Sequence, residues 1–157
     1  MRRVRVRGLS MVELLMVLAI VGILAALGAT LLRPPLSKTV ANGVRSFVQE
    51  GRFQAIKANR AVAIVWDGGS RSFHMVEAQT AGTVECTSSS TTLLRTLPVA
   101  KSGDVSIALS YTDGIVWLPT GQLRRCDNSV AGDSTITVSY KAARKVLVYG
   151  GGKVMVQ

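Results

Sequence analysis

The chain has 157 residues, 48% of them hydrophobic and 18% charged. That length supports one modest domain plus an anchor, and no repeats, disordered tails or interdomain linkers appear in it. Nineteen basic against nine acidic side chains give a net charge of +10, but four of the arginines (Arg2, Arg3, Arg5 and Arg7) crowd the N-terminus.

The first predicted element is a helix on an apolar run. Residues 9–32 read LSMVELLMVLAIVGILAALGATLL, and the 19 residues 14–32 carry no charge. At ~1.5 Å per residue such a helix crosses a ~30 Å hydrocarbon core. Just ahead of them stands one acid, Glu13. An ionised side chain costs at least ~2.5–3.5 kcal/mol at mid-bilayer and less near an interface, so Glu13 needs a use. Three readings compete. A cleavable secretory signal would cut at the small residues Ala26 and Gly28, leaving a mature N-terminus near Ala29. A simple anchor would keep its arginine-rich start in the cytoplasm. The third reading explains the glycine and the acid together.

The segment Arg7-Gly8-Leu9-Ser10-Met11-Val12-Glu13-Leu14 resembles the class III signal of type IV prepilins and type II secretion pseudopilins. The resemblance implies that prepilin peptidase cuts between Gly8 and Leu9, that Leu9 becomes the N-methylated mature N-terminus, and that Glu13 is the filament-assembly glutamate. Family members usually have phenylalanine at the position of Leu9, and threonine, leucine and isoleucine at those of Ser10, Met11 and Val12. These departures keep size and polarity. Cleavage would create an ammonium about one helical turn from Glu13. In an apolar filament core, the carboxylate of one subunit can neutralise the terminus of the next and set register. Without the leader, fifteen basic side chains face nine acidic ones, a net charge of +6.

Pro34-Pro35 should end or kink the first helix, and Ser37 can cap a second. Apolar or small residues at Leu36, Val40, Val44, Phe47, Gly51, Ala55 and Ala58 form a helical stripe. Arg45, Glu50, Arg52, Lys57 and Arg60 lie mostly off it, so 36–59 is an amphipathic helix that covers a domain. Beyond Arg60 short strands are expected at 61–66, 71–78, 93–97, 105–110, 115–118, 135–141, 146–149 and 153–156. Turns are expected at 67–70, 111–114, 119–121 and 150–152, and loops at 79–92 and 126–133.

The blocks GRFQAIKANRAVAIVW (51–66), GIVWLPTGQL (114–123) and RKVLVYGGGKVMV (144–156) resemble, in that order, those of the GspH/FimT family of minor pilins and pseudopilins. The implied fold class is α+β: a pilin-like fold whose long N-terminal helix spans the membrane in its first half and packs on an antiparallel β-sheet domain. The implied organisation is a leader at 1–8, a transmembrane and filament-core helix at 9–35, and a globular domain at 36–157, with its β region at 60–157. The implied partners are other pilin or pseudopilin subunits, prepilin peptidase and the inner membrane, with the globular domain in the periplasm or outside.

Cys86 and Cys126 fall in the presumed exported part, where an even count in an oxidising compartment points to a disulfide between them. Metal binding is the weaker option, because His74 is the only histidine and the spacings match no zinc pattern. His74 reads as an ordinary strand residue. Gly150-Gly151-Gly152-Lys153 lacks the spacing, the Ser or Thr and the following helix of a phosphate loop. No catalytic residue or cofactor is expected. The second functional reading is non-sequence-specific DNA contact in natural transformation. Gly152-Lys153-Val154-Met155 matches half of the family's Gly-Arg-x-Arg motif, and Arg124, Arg125, Lys141, Arg144 and Lys145 could join Lys153 if they converge. Against it stands the reading of these cations as solvated surface.

Overall fold

The structure is a computed structural model that describes residues 10–31, 36–79, 86, 91–99 and 105–157, with side chains described to Leu27 in the first helix. The expectations at Gly8, Leu9 and Pro34-Pro35, and most of the 79–92 loop, lie outside the described residues. The chain divides into two units, Met1–Pro35 and Leu36–Gln157.

In the first unit, helix α1 (Met11–Leu31) is apolar around its whole circumference, and its described side chains are exposed. A helix of that kind is covered by something other than water when it functions. Among the described residues no helix is long and apolar enough to cross a membrane.

The second unit is built on helix α2 (Leu36–Ala58), which buries Ser37, Ala41, Val44, Phe47, Val48, Gly51 and Ala55. That spacing follows the expected stripe from Val44 to Ala55; at its start Ser37 and Ala41 turn inward while Leu36 and Val40 are half-buried, and at its end Ala58 is exposed. Ser37 is therefore not the cap: it is the second residue of α2, and its buried Oγ has no partner among the described residues. The other end closes with Asn59 left-handed at φ 53° and Arg60 N donating to Ala55 O at 3.2 Å. This is the six-to-one bond of a Schellman cap.

Among the described residues nine antiparallel strands form two sheets. The first has the order β3 (Thr91–Pro98), β2 (Ser72–Ala78), β1 (Val62–Asp67), β5 (Ile115–Trp117), β6 (Leu123–Arg125). The second has the order β4 (Ser106–Leu109), β7 (Ser134–Tyr140), β8 (Ala142–Val148), β9 (Val154–Val156). The sequence pattern did not separate two sheets, and it missed β6 and the first half of β8. Ala142-Ala143-Arg144-Lys145 shows no apolar alternation; its pairing with 137–140 of β7, across a turn with Lys141 at φ 55°, makes it strand.

Helix α2 packs against β1 and β5 of the first sheet and β7, β8 and β9 of the second, so one core contains Val44, Phe47, Phe73, Trp117, Ile136 and Val146. Two neighbours on α2 set this contact. Gly51 brings the helix close: a Cβ there would lie 2.9 Å from Ile64 Cδ1. Arg52 runs its cation 5.8 Å from the Trp117 ring centroid and donates from Nη1 to Gly152 O at 2.9 Å, in the turn between β8 and β9. The side chain thus joins α2, the first sheet and the end of the second.

The centre of the first sheet is buried on both faces. Strand alternation sends Val62, Ile64, Ile115 and Trp117 to the main core, and Ala61, Ala63 and Val116 to a smaller cluster on the opposite face. Ala78, Cys86 and Cys126 belong to that outer cluster.

Gly152 sits at φ +94°, and a Cβ there would fall 2.4 Å from Arg52 Nη1. Gly152→Ala should therefore destabilise the domain by ~1–3 kcal/mol through backbone strain and displacement of Arg52. Gly151→Ala, where a Cβ meets nothing within 4 Å, serves as the control. Chemical denaturation of the two variants measures the difference.

Candidate functional site

The sequence points first to the start of α1, where Ser10 precedes the helix. Its carbonyl accepts from Leu14 N at 3.1 Å, and its Oγ accepts from Val12 N at 3.4 Å. Ser10 is thus the N-cap and Glu13 the third helical residue, the Ser-x-x-Glu spacing of a capping box. The acid also lies in the first turn, where the helix dipole favours negative charge. Sequence reasoning gave Glu13 an intersubunit role and missed the Ser10 cap, although the spacing was legible. Gly8 and Leu9, the expected processing residues, lie outside the described residues.

Cys86 and Cys126 are joined by a disulfide, with Cα atoms 5.6 Å apart. The bridge ties Cys86 to the stretch after β6, against Ala63 and Val116 on the outer face of the first sheet. On the same face lies a pocket of about 550 Å³ lined by Val65, Val76, Leu93, Cys86, His74 and Asp67. The register explains its make-up. Ala63, Val76 and Leu93 form an apolar row across β1, β2 and β3; Val65, His74 and Thr96 form the next, and Asp67 lies at the hairpin end. His74 is held by Ser72 Oγ, 3.0 Å from Nε2, and Thr96 Oγ1, 3.2 Å from Nδ1. Asp67 Oδ2 is 3.8 Å from His74 Nε2. Hydrogen bonds from Ser70 and the Gly69 amide, aided by His74, hold the Asp67 carboxyl below the usual range, so it is ionised at neutral pH.

The six cations expected as a phosphate-binding group are divided between the sheets. Arg124 and Arg125 occupy the edge strand β6 and alternate in direction. Arg124 Nη1 donates to Asn128 O at 3.3 Å, while the Arg125 guanidinium lies 4.1 Å from the Tyr111 ring centroid. The Tyr111 hydrogen bond raises the Arg125 pKa above its usual value. Lys141 occupies the β7–β8 turn, and Arg144 shares a row with core residue Val138. Lys145 and Lys153 alternate with buried Val146 and Val154, and so share the outer face of the second sheet.

Gly150-Gly151-Gly152 forms the turn into β9, closed by Gly152 N donating to Tyr149 O at 2.8 Å, with no helix after it. Among the described residues no three His, Cys, Asp or Glu side chains come together as a metal site.

Residues 3–29 match the family model of the prokaryotic N-terminal methylation motif. No curated protein matches the chain in sequence. Among solved structures, the chain is similar to the minor pseudopilin EpsH of the type 2 secretion system of Vibrio cholerae. The TM-score is 0.57 at 9% identity, over 78% of this chain and 97% of that one. It is also similar to the type IV minor pilin FimU of Pseudomonas aeruginosa, with a TM-score of 0.57 at 12% identity, over 77% of this chain and 87% of that one. The fold is pilin-like and α+β, and it follows an N-terminal methylation motif; in motif and fold the chain is type IV pilin-like.

The disulfide closes a long loop, with Cys86 and Cys126 separated by 40 positions. On the chain-entropy account, Cys86→Ala with Cys126→Ala should lower the unfolding free energy by ~4 kcal/mol. Denaturant titration of the oxidised parent and the double variant gives that number.

Proposed function

We propose that this chain is a minor pilin or pseudopilin, a structural subunit of a type IV pilus or type II secretion pseudopilus. The observation that carries the reading is the Ser10–Glu13 start of an apolar helix, inside a methylation motif and ahead of a pilin-like domain. In this reading prepilin peptidase cuts after Gly8, and Leu9 becomes the methylated N-terminus. Residues 9–35 then hold the subunit in the inner membrane before it enters the filament. The anchor is the charge-free run 14–32, long enough as a helix to cross a ~30 Å hydrocarbon core. Glu13 neutralises the N-terminal ammonium of a neighbouring subunit, as it also sits well in its own helix.

The two roles of Glu13 separate experimentally. Glu13→Gln keeps a capping side chain and loses the charge, whereas Glu13→Ala loses both. Both variants should be processed and membrane-inserted, and both should fall at least about tenfold in filament incorporation, a charge-pair loss of ~1.4 kcal/mol or more. Quantitative immunoblotting of sheared filaments, with intact mass of the membrane form, reads both steps. Normal incorporation of Glu13→Gln would leave only the capping role. A mature N-terminus near Ala29 would replace the whole reading with that of a secreted β protein.

A second reading, DNA contact during natural transformation, is favoured by one observation: Lys145 and Lys153 share an outer face, with Lys141 in the adjoining turn. Each phosphate neutralised adds about one unit to the salt slope. The full chain in detergent should then retard DNA at low salt, and lose that retardation when Lys141, Lys145 and Lys153 become alanine. Electrophoretic mobility shows this directly, and retardation unchanged by the substitutions removes the reading.

A further inference from the structure

The pocket on the outer face of the first sheet serves neither the core nor the start of α1. Its apolar side, Val65, Val76 and Leu93, continues outward to the sheet edge, where Leu93 is 57% and Leu94 40% exposed on β3. Its other end carries the ionised carboxylate of Asp67. Among the described residues no lysine or arginine pairs with that carboxylate; His74 alone stands near it, at 3.8 Å. Glu50 of α2 pairs with Arg95, and Glu77 with Arg60 at 3.5 Å. Asp67 is left as an anionic end on an apolar pocket.

We infer that this pocket docks an extended segment of another filament subunit, seating an apolar side chain between Val65, Val76 and Leu93 and pairing a neighbouring lysine or arginine with Asp67. Charge complementarity selects the basic residue, because the Asp67 carboxylate is 47% exposed and its one ion-pair partner among the described residues is His74. The exposed apolar strip of β3 favours a chain segment over a small amphiphile, since it extends the contact beyond the pocket mouth. At about 550 Å³ the pocket holds one large side chain and part of its neighbours. The contact is made by side chains: a bulge at Met75/Val76 interrupts the β2–β3 register, and Pro98 ends β3, which leaves little regular edge for a further paired strand. The source of the segment rests on the subunit reading above; the chemistry of the pocket does not.

The test is a titration of the full chain in zwitterionic nanodiscs, followed by methyl resonances of Val65, Val76 and Leu93. The probes are an octapeptide of alternating valine and lysine, its valine–glutamate and threonine–lysine counterparts, and hexylammonium. The valine–lysine peptide should shift those methyls and leave Val138 and Val146 of the second sheet unmoved. Asp67→Asn, which keeps an oxygen for the Gly69 amide, should weaken binding about two- to fivefold. Leu93→Ser should weaken it about tenfold. Silent pocket methyls, equal binding of the valine–glutamate or threonine–lysine peptide, or an unchanged affinity in Asp67→Asn would overturn the inference. Hexylammonium binding as tightly as the peptide would also overturn it, in favour of a small amphiphile. If the peptide fails while incorporation still depends on Glu13, only this inference falls and the subunit reading stands.

Discussion

The domain depends on the seating of α2 against both sheets. Neither sheet closes on itself, and the four-stranded one has only its inner face to bury. The helix supplies the missing wall for each. That contact is set by adjacent residues with opposite properties: Gly51 has no side chain, so Ile64 can approach, while Arg52 has a long one that lies near Trp117 and reaches the Gly152 carbonyl. Arg52 is half-buried, so its methylene stem contributes packing as well as charge. Left-handed Gly152 leaves the space that the guanidinium fills. The Gly-Arg pair on the helix and the glycine run ninety-eight positions later are therefore one device.

Much of this was legible in the sequence, for identifiable reasons. The helical stripe of α2 and the β1–β2 hairpin are local patterns, set by period and by turn residues, and both formed close to where they were read. What was not legible is long-range. The division into two sheets depends on which strands pair, and β1 pairs β5 across more than forty intervening residues. Strand β6 has three residues, too few to show a period, and the first half of β8 carries alanines and cations. Ser37 misled because a serine after two prolines signals a cap, whereas tertiary packing drew it into the core.

The candidate site divides in the same way. Glu13 was visible because a charge within an apolar run is conspicuous, and the Ser10 cap was equally visible in spacing. The row of Val65 and His74 beside Ala63, Val76 and Leu93 could not be read from the sequence, because it depends on cross-strand register. His74 is a mid-strand residue, as its sequence context implied, yet that position places it on the rim of a pocket. Likewise, counting basic residues says nothing of their directions. Alternation along β8 sends Arg144 and Lys145 to opposite faces.

Strand β3 is the longest strand among the described residues and lies at a sheet edge, the position from which uncontrolled strand-to-strand growth starts. The bulged register, the terminal proline and the engagement of Arg95 with Glu50 all work against such growth. That has a practical meaning. The domain can offer a sticky flank to a chosen neighbour and still resist condensing into amyloid-like stacks with its own copies.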